Sequence, residues 1–266
     1  IMILMALDHA RSFLCPSNGG YEIWVGRFTQ YHGDLLAFAT RFISHLAAPG
    51  FFLLMGCSMV FFYNSRTASG WTRSQVCQHF AKRGALLIGC QFLVENPAWS
   101  LGFGGMPLYF GVLFALGSAM ILGMLFLEWS FSVLGFVGVL LIILTEVLLP
   151  DASGYVLYPF YQRIWLLPGF TPGAGSLVLY PVMPWLGVTV LGMAFGKLVI
   201  SKDTINPFFC LGLGIVLITA FLPIRFNGGF GNIRMPSEDG VIGFFNVVKY
   251  PPSLTFLLIT LGMNLM

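Results

Sequence analysis

Charge is what this sequence has least of. Of 266 residues only 9% are Asp, Glu, Lys or Arg, against 57% hydrophobic, whereas a water-soluble domain carries roughly a quarter charged residues. An ordinary globular composition is excluded, and the chain reads as one whose solvent is largely lipid. The net charge of +3 is spread over loops with no lysine and arginine run, so nothing points to nucleic acid as a partner. The five cysteines, Cys15, Cys57, Cys77, Cys90 and Cys210, are odd in number and widely spaced, with no CxxC pair and no His/Cys ligand spacing. Neither a disulfide framework nor a zinc site is indicated, and no metal is expected. Internal repeats and low-complexity segments are also missing. Residues 1–14 lack a basic leader and a small-residue cleavage site, and Asp8, His9 and Arg11 interrupt their apolar run, which excludes a signal peptide. They read as the outer part of a first spanning helix. The chain starts without an initiator methionine and stops inside an apolar run that begins at Leu254, so both ends are expected to be cut.

Long apolar runs are what the sequence does have. A spanning helix needs about 20 apolar residues, and the candidates are residues 1–14 (partial), 42–63, 84–95 with some extension, 107–127, 131–149, 177–200, 207–223 and 253–266 (partial). The expectation is an all-α polytopic transmembrane helix bundle of about eight spans, the first and last truncated, forming a single integral-membrane domain over residues 1–266. Gly and Pro inside the runs are tolerated in spanning helices.

Orientation follows from the basic residues of the short loops. Loop 64–83 carries Arg66, Arg73, Lys82 and Arg83, and the loop near 197–206 carries Lys197 and Lys202; both are expected in the cytoplasm. Counting spans from there puts the three long loops, 15–41, 150–176 and 224–252, on the outer face. Structureless connections of that length are uncommon and often functional, so these loops are expected to form a cap. Their Tyr21, Trp24, Arg27, Tyr31, His32 and Asp34, then Tyr155, Tyr158, Tyr161, Arg163 and Trp165, then Arg225, Asn227, Arg234, Glu238, Asp239 and Lys249 suit a sugar. The same rings also suit the aromatic belt of any membrane protein.

Two outward-facing clusters of ionisable groups stand at the mouths of apolar runs, Asp8-His9-Ala10-Arg11 and Arg41 to His45. Charge there is costly unless partnered or hydrated. An imidazole can serve as a general base near neutrality because the unperturbed histidine pKa is about 6.5, which makes His9 and His45 candidates, and Asp8 can orient an imidazole or pair with Arg11 or Arg41. The other reading of each group is a satisfied polar network joining the first two helices. Glu95-Asn96 either faces the same cavity or ends a helix; Glu128 and Glu146 read as boundary residues, and His79 as a solvated surface group. Two proline motifs, Tyr180-Pro181 to Gly187 and Lys249-Tyr250-Pro251-Pro252-Ser253, read as helix starts. Lys249 at the second either binds a phosphate or carboxylate or snorkels to the interface.

The stretch Arg41 to Gly56, LMALDHARSF at 4–13, YPVMPWLGVTVLGMAFG at 180–196 and FFNVVKYPPSLTFLLITLG at 244–262 together resemble the bacterial branch of the heparan-alpha-glucosaminide N-acetyltransferase family. The resemblance implies a multi-spanning acyltransferase of a bacterial cytoplasmic (inner) membrane. Acetyl-CoA or another acyl-CoA would be the co-substrate, and an amino sugar or glycan on the outer face the acceptor. The lysosomal member's proposed catalytic histidine, in the loop between its first two spans, points loosely to His32. His45 and His9 lie inside the well-matched blocks and rank above it, with Asp8, Arg11 and Arg41 as orienting or charge-stabilising partners. Arg73, Lys82 and Arg83, with Arg66 and Lys249, are the candidates for the donor's phosphates. An imidazole would deprotonate the acceptor, directly or after forming an acyl-histidine. The alternative from another class is a transporter or flippase with an Asp/His/Arg relay; it predicts inverted repeats, and none is found.

Overall fold

The computed structural model describes residues 1–14, 22–25, 30–103, 108–150, 159–171, 175–201, 206–237 and 240–266, without the side chains at 11–13, 100–103, 160, 170 and 171. Expectations for Tyr21, Arg27, Tyr155, Tyr158, Lys202, Glu238, Asp239, Cys15 and the side chain of Arg11 lie outside the described residues.

Helix α1 is Met2–Leu14, and α2, Leu35–Ser44, starts where the Asp34 carboxylate accepts the Ala37 N–H at 2.9 Å. After a two-residue turn α3 runs over Ala47–Ala68. Helix α4, Arg73–Cys90, is opened by a capping box in which Thr72 and Gln75 satisfy each other's backbone N–H groups; it passes through a π-helical turn, Gln91–Glu95, into α5, Asn96–Phe103. Strand β1, Leu108–Phe110, precedes α6, Val112–Gly123, and α7 is Phe131–Val147. Then come α8, Phe160–Trp165, β2, Gly169–Thr171, β3, Ser176–Val178, and α9, Val182–Ser201. Asn206 and Pro207 open α10, Pro207–Asn227, which Gly228 ends at φ 66°. Last are α11, Gly240–Phe245, and α12, Leu254–Leu265, capped by Ser253.

The chain is mostly helical, as expected, but among the described residues three segments are long and apolar enough to cross a membrane: Leu35–Ala68, Val182–Ser201 and Pro207–Asn227. Val112–Phe126, Phe131–Val147 and Leu254–Leu265 are shorter apolar helices. Two expected boundaries are corrected by helix caps. The basic loop 64–83 shrinks to residues 69–72: α3 runs on to Ala68 and carries Arg66, and the Thr72 box starts α4 early, so Arg73, Lys82 and Arg83 stand on that helix. The long loop 15–41 ends at Asp34 for the same reason. A further correction to the all-α expectation is a small sheet of order β1-β3-β2, parallel between β1 and β3 and antiparallel between β3 and β2. It takes the first turn of the run expected over 107–127, where aromatic Tyr109 and Phe110 suit a strand better than a helix.

The described residues form two compact units, Ile1–Phe51 with Asn206–Met266, and Phe52–Ile205. In the second, α7 and α6 both pack on α9 and α4 packs on α6. Small residues allow the backbones to touch: a Cβ at Gly192 would lie 2.1 Å from the Leu53 carbonyl oxygen, and one at Gly56 2.0 Å from that of Thr189.

In the first unit α10 packs on α12. Arg225, fully buried near the end of α10, binds five acceptors: the carbonyls of Phe244 at 2.7 Å, Asn246 at 2.9 Å, Gly243 at 3.0 Å and Arg234 at 3.2 Å, and Asn232 Oδ1 at 2.9 Å. One side chain thereby ties Asn232 and Arg234 to residues 243–246, just before Lys249.

Candidate active site

Four segments of the first unit meet at one buried polar cluster: α1, residues 22–25, α2, and the turn before α12. Residues 22–25 are extended against that turn. Trp24 N–H donates to Tyr250 O at 2.8 Å, while Lys249 and Tyr250 N–H donate to Glu22 O at 3.1 and 3.0 Å. The backbone of Glu22 is thus fixed from the far end of the chain.

Arg41 is the hub. Its Nε and Nη2 donate to Glu22 Oε1 and Oε2, each at 2.8 Å, the two-pronged geometry a guanidinium matches to a carboxylate. Its Nη1 reaches Asp8 Oδ1, which also accepts Ser44 Oγ–H at 2.8 Å. The helical spacing of Arg41, Ser44 and His45 puts all three on one side of α2 and its end, as i, i+3 and i+4 neighbours. Glu22 is 3% exposed, and His45 4%. Burial pushes the Glu22 carboxyl up, but Arg41 and its hydrogen bonds more than offset this and hold it well below the usual carboxylate range.

His45 packs edge-on against Phe256, with ring centroids 5.7 Å apart, and against Phe42. Its Nε2 lies 3.5 Å from Glu22 Oε1, an ion-pair distance too long for a well-formed hydrogen bond, and neither ring nitrogen has a hydrogen-bond partner. A carboxylate facing Nε2 favours the proton on that nitrogen and leaves the Nδ1 lone pair as an acceptor. Lys249 is 3% exposed, so it does not snorkel; its ammonium lies 5.0 Å from the centre of the Tyr250 ring. Burial lowers its pKa to about 8, helped by Arg41 and opposed by Asp8 and Glu22.

Of the residues singled out in the sequence, Asp8, Arg41, His45 and Lys249 come together here. His9, half-buried beside Asp8 on α1, lies within electrostatic reach of Asp8 and Lys249. His32 is exposed in the turn before Asp34, with φ 48°. Lys249 does not share a unit with Arg73, Lys82 and Arg83, which are exposed on α4; Arg73 pairs there with Glu128 at 3.1 Å. Sequence reasoning missed Glu22 and Ser44. The signal for Glu22 was an acid inside the apolar run Tyr21-Glu22-Ile23-Trp24, the same flag that drew attention to Asp8 and His45.

The family described as heparan-alpha-glucosaminide N-acetyltransferase, catalytic, matches residues 23–220. No curated protein and no solved structure matches the chain.

Proposed function

The chain belongs to the heparan-alpha-glucosaminide N-acetyltransferase catalytic family, and on that premise we propose that it acylates a sugar amine or hydroxyl at the outer face of a bacterial cytoplasmic membrane. The donor is acetyl-CoA or a related acyl-CoA from the cytoplasm. The reading is carried by one observation: His45, buried, has Glu22 Oε1 3.5 Å from Nε2 and a hydrogen-bond partner at neither ring nitrogen. In this reading Nδ1 takes the proton of the acceptor as its nitrogen or oxygen attacks the thioester carbonyl. The Glu22 carboxylate favours the proton on Nε2 through its charge, and stabilises the imidazolium that results. Arg41 keeps Glu22 ionised and fixed, with Asp8 and Ser44 completing its shell. The proton then passes from His45 to the departing thiolate. Arg66, Arg73, Lys82 and Arg83 supply positive charge for the phosphates of the donor.

The test is a mass-spectrometric search for acylated product when protein in native membranes is given acetyl-CoA with glucosamine and a panel of cell-envelope glycans. An acetylated product dependent on the protein supports the reading. Donor depletion with no acylated acceptor across amines and hydroxyls alike would reject it.

A further inference from the structure

Lys249 is the one described cation of this cluster with no carboxylate in hydrogen-bond or ion-pair contact; Asp8 and Glu22 act on it only across space. Both oxygens of Glu22 are taken by Arg41, and Asp8 Oδ1 receives Arg41 and Ser44. Among the described residues the Lys249 ammonium makes no hydrogen bond and no ion pair; it has only the face of the Tyr250 ring at 5.0 Å. Burial of a lysine 3% exposed with no counter-ion in contact is offset only in part by Asp8 and Glu22 across space, and such groups are retained where they meet a ligand or a developing charge. The backbone holds it firmly, since Lys249 N–H is bonded to Glu22 O and Ser253 N–H closes the turn onto Val248 O.

Charge balance decides what the ammonium is for. Among the described side chains, two carboxylates, Asp8 and Glu22, face two cations, Arg41 and Lys249, so the cluster is neutral while His45 is neutral. A ligand with a permanent negative charge would leave it at −1. A carbonyl that becomes an oxyanion while His45 becomes an imidazolium leaves it neutral throughout. Resting on the acyl-transfer reading above, we propose that Lys249 is the electrophile of this site, its ammonium stabilising the oxyanion formed on the acyl carbonyl. The acceptor N–C bond forms as the carbonyl π pair moves to oxygen beside Lys249, and the acceptor proton goes to His45. When the oxyanion collapses the C–S bond breaks, and the thiolate leaves with the proton from His45. The same balance favours acceptors that carry no fixed negative charge.

The experiment compares wild type, Lys249→Met and His45→Ala in single-turnover transfer from acetyl-CoA to glucosamine and to glucosamine 6-phosphate, alongside thermal unfolding. Removing one preorganised oxyanion donor typically costs about 10²–10³-fold in rate. Lys249→Met is therefore expected to lose transfer to glucosamine by about 10²-fold with both Michaelis constants held, and to unfold at a higher temperature than wild type at pH 7. A folded Lys249→Met of near-normal rate overturns the inference. So does a defect confined to the KM of the phosphorylated acceptor, which would make Lys249 a standing anion site. Loss in His45→Ala with normal Lys249→Met sinks this inference and leaves the base reading intact; the reverse pattern keeps the electrophile and removes the base. Should Lys249→Met not fold, the wild-type pH profile decides. Lys249 is faced by Asp8 and His9 from α1, Glu22 from residues 22–25, Arg41 and His45 from α2 and its cap, and Tyr250 beside it. With its pKa at about 8, the rate at saturating acceptor should fall as pH rises through that value. A rate that stays level to about pH 10, near the ordinary lysine pKa, overturns it.

Discussion

Replacing Glu22 with glutamine removes one charge and little volume, so its cost can be worked from the contacts of a single side chain. Wild-type Glu22 accepts Arg41 Nε and Nη2 at 2.8 Å each. In Glu22→Gln one amide oxygen can still accept one donor, but the amide NH₂ then opposes the other. Breaking a buried ion pair by removing one partner costs about 3–5 kcal/mol; Arg41 keeps Asp8, so the lower end, about 3 kcal/mol, applies. In a chain of this size about 2–4 °C of Tm corresponds to each kcal/mol, giving a fall of roughly 6–12 °C. The assay is thermal unfolding of purified protein in detergent at pH 7, repeated in an Arg41→Met background as a double-mutant cycle. The pH dependence carries a definite sign. A carboxyl held well below its ordinary value of 4.5 contributes stability that is complete above that value and lost as pH falls through the lower folded pKa. The gap between wild type and Glu22→Gln should be full above about pH 5 and close progressively below 4.5. An unchanged Tm at pH 7, or effects of Glu22→Gln and Arg41→Met that simply add, would refute the reasoning.

Arg225→Met leaves the carbonyls of Gly243, Phe244 and Asn246 without their shared donor; buried unsatisfied acceptors cost about 1–3 kcal/mol each, so limited proteolysis should newly cut within residues 232–246. An unaltered cleavage pattern would mean the guanidinium does not organise that segment. Replacing Arg73, Lys82 and Arg83 together with glutamine should raise the KM for acetyl-CoA more than that for the acceptor, and an unchanged donor constant would assign these residues to membrane orientation alone.

The helical runs were legible because apolar length is a local signal, and so were Asp8, Arg41 and His45, since an ionisable group at the mouth of such a run stands out. Boundaries were less so. Asp34 and the Thr72–Gln75 box start α2 and α4 well before their apolar runs begin, because a cap is a hydrogen-bonding event that hydropathy does not register. Glu22 went unseen for a different reason. What makes it part of the cluster is its backbone pairing with Lys249 and Tyr250, more than two hundred residues away, and its fork onto Arg41; neither is a spacing within the loop. Lys249 reads in the sequence as a helix-start lysine, yet whether it reaches solvent or an interior charge cluster depends on the same long-range pairing. The β1–β3 contact joins Leu108 to Ser176 across strands too short for an alternating pattern to show.

The proposed chemistry turns on His45 as the group that takes the acceptor proton. Single-turnover acyl transfer from acetyl-CoA to glucosamine, measured on His45→Ala beside His9→Ala and His32→Ala with thermal unfolding of each, tests it directly. A positioned general base contributes at least about 10²-fold, so folded His45→Ala should lose transfer by that order with donor binding retained, and His32→Ala should transfer at the wild-type rate. Near-normal transfer by folded His45→Ala would remove His45 from the chemistry and move it to another histidine.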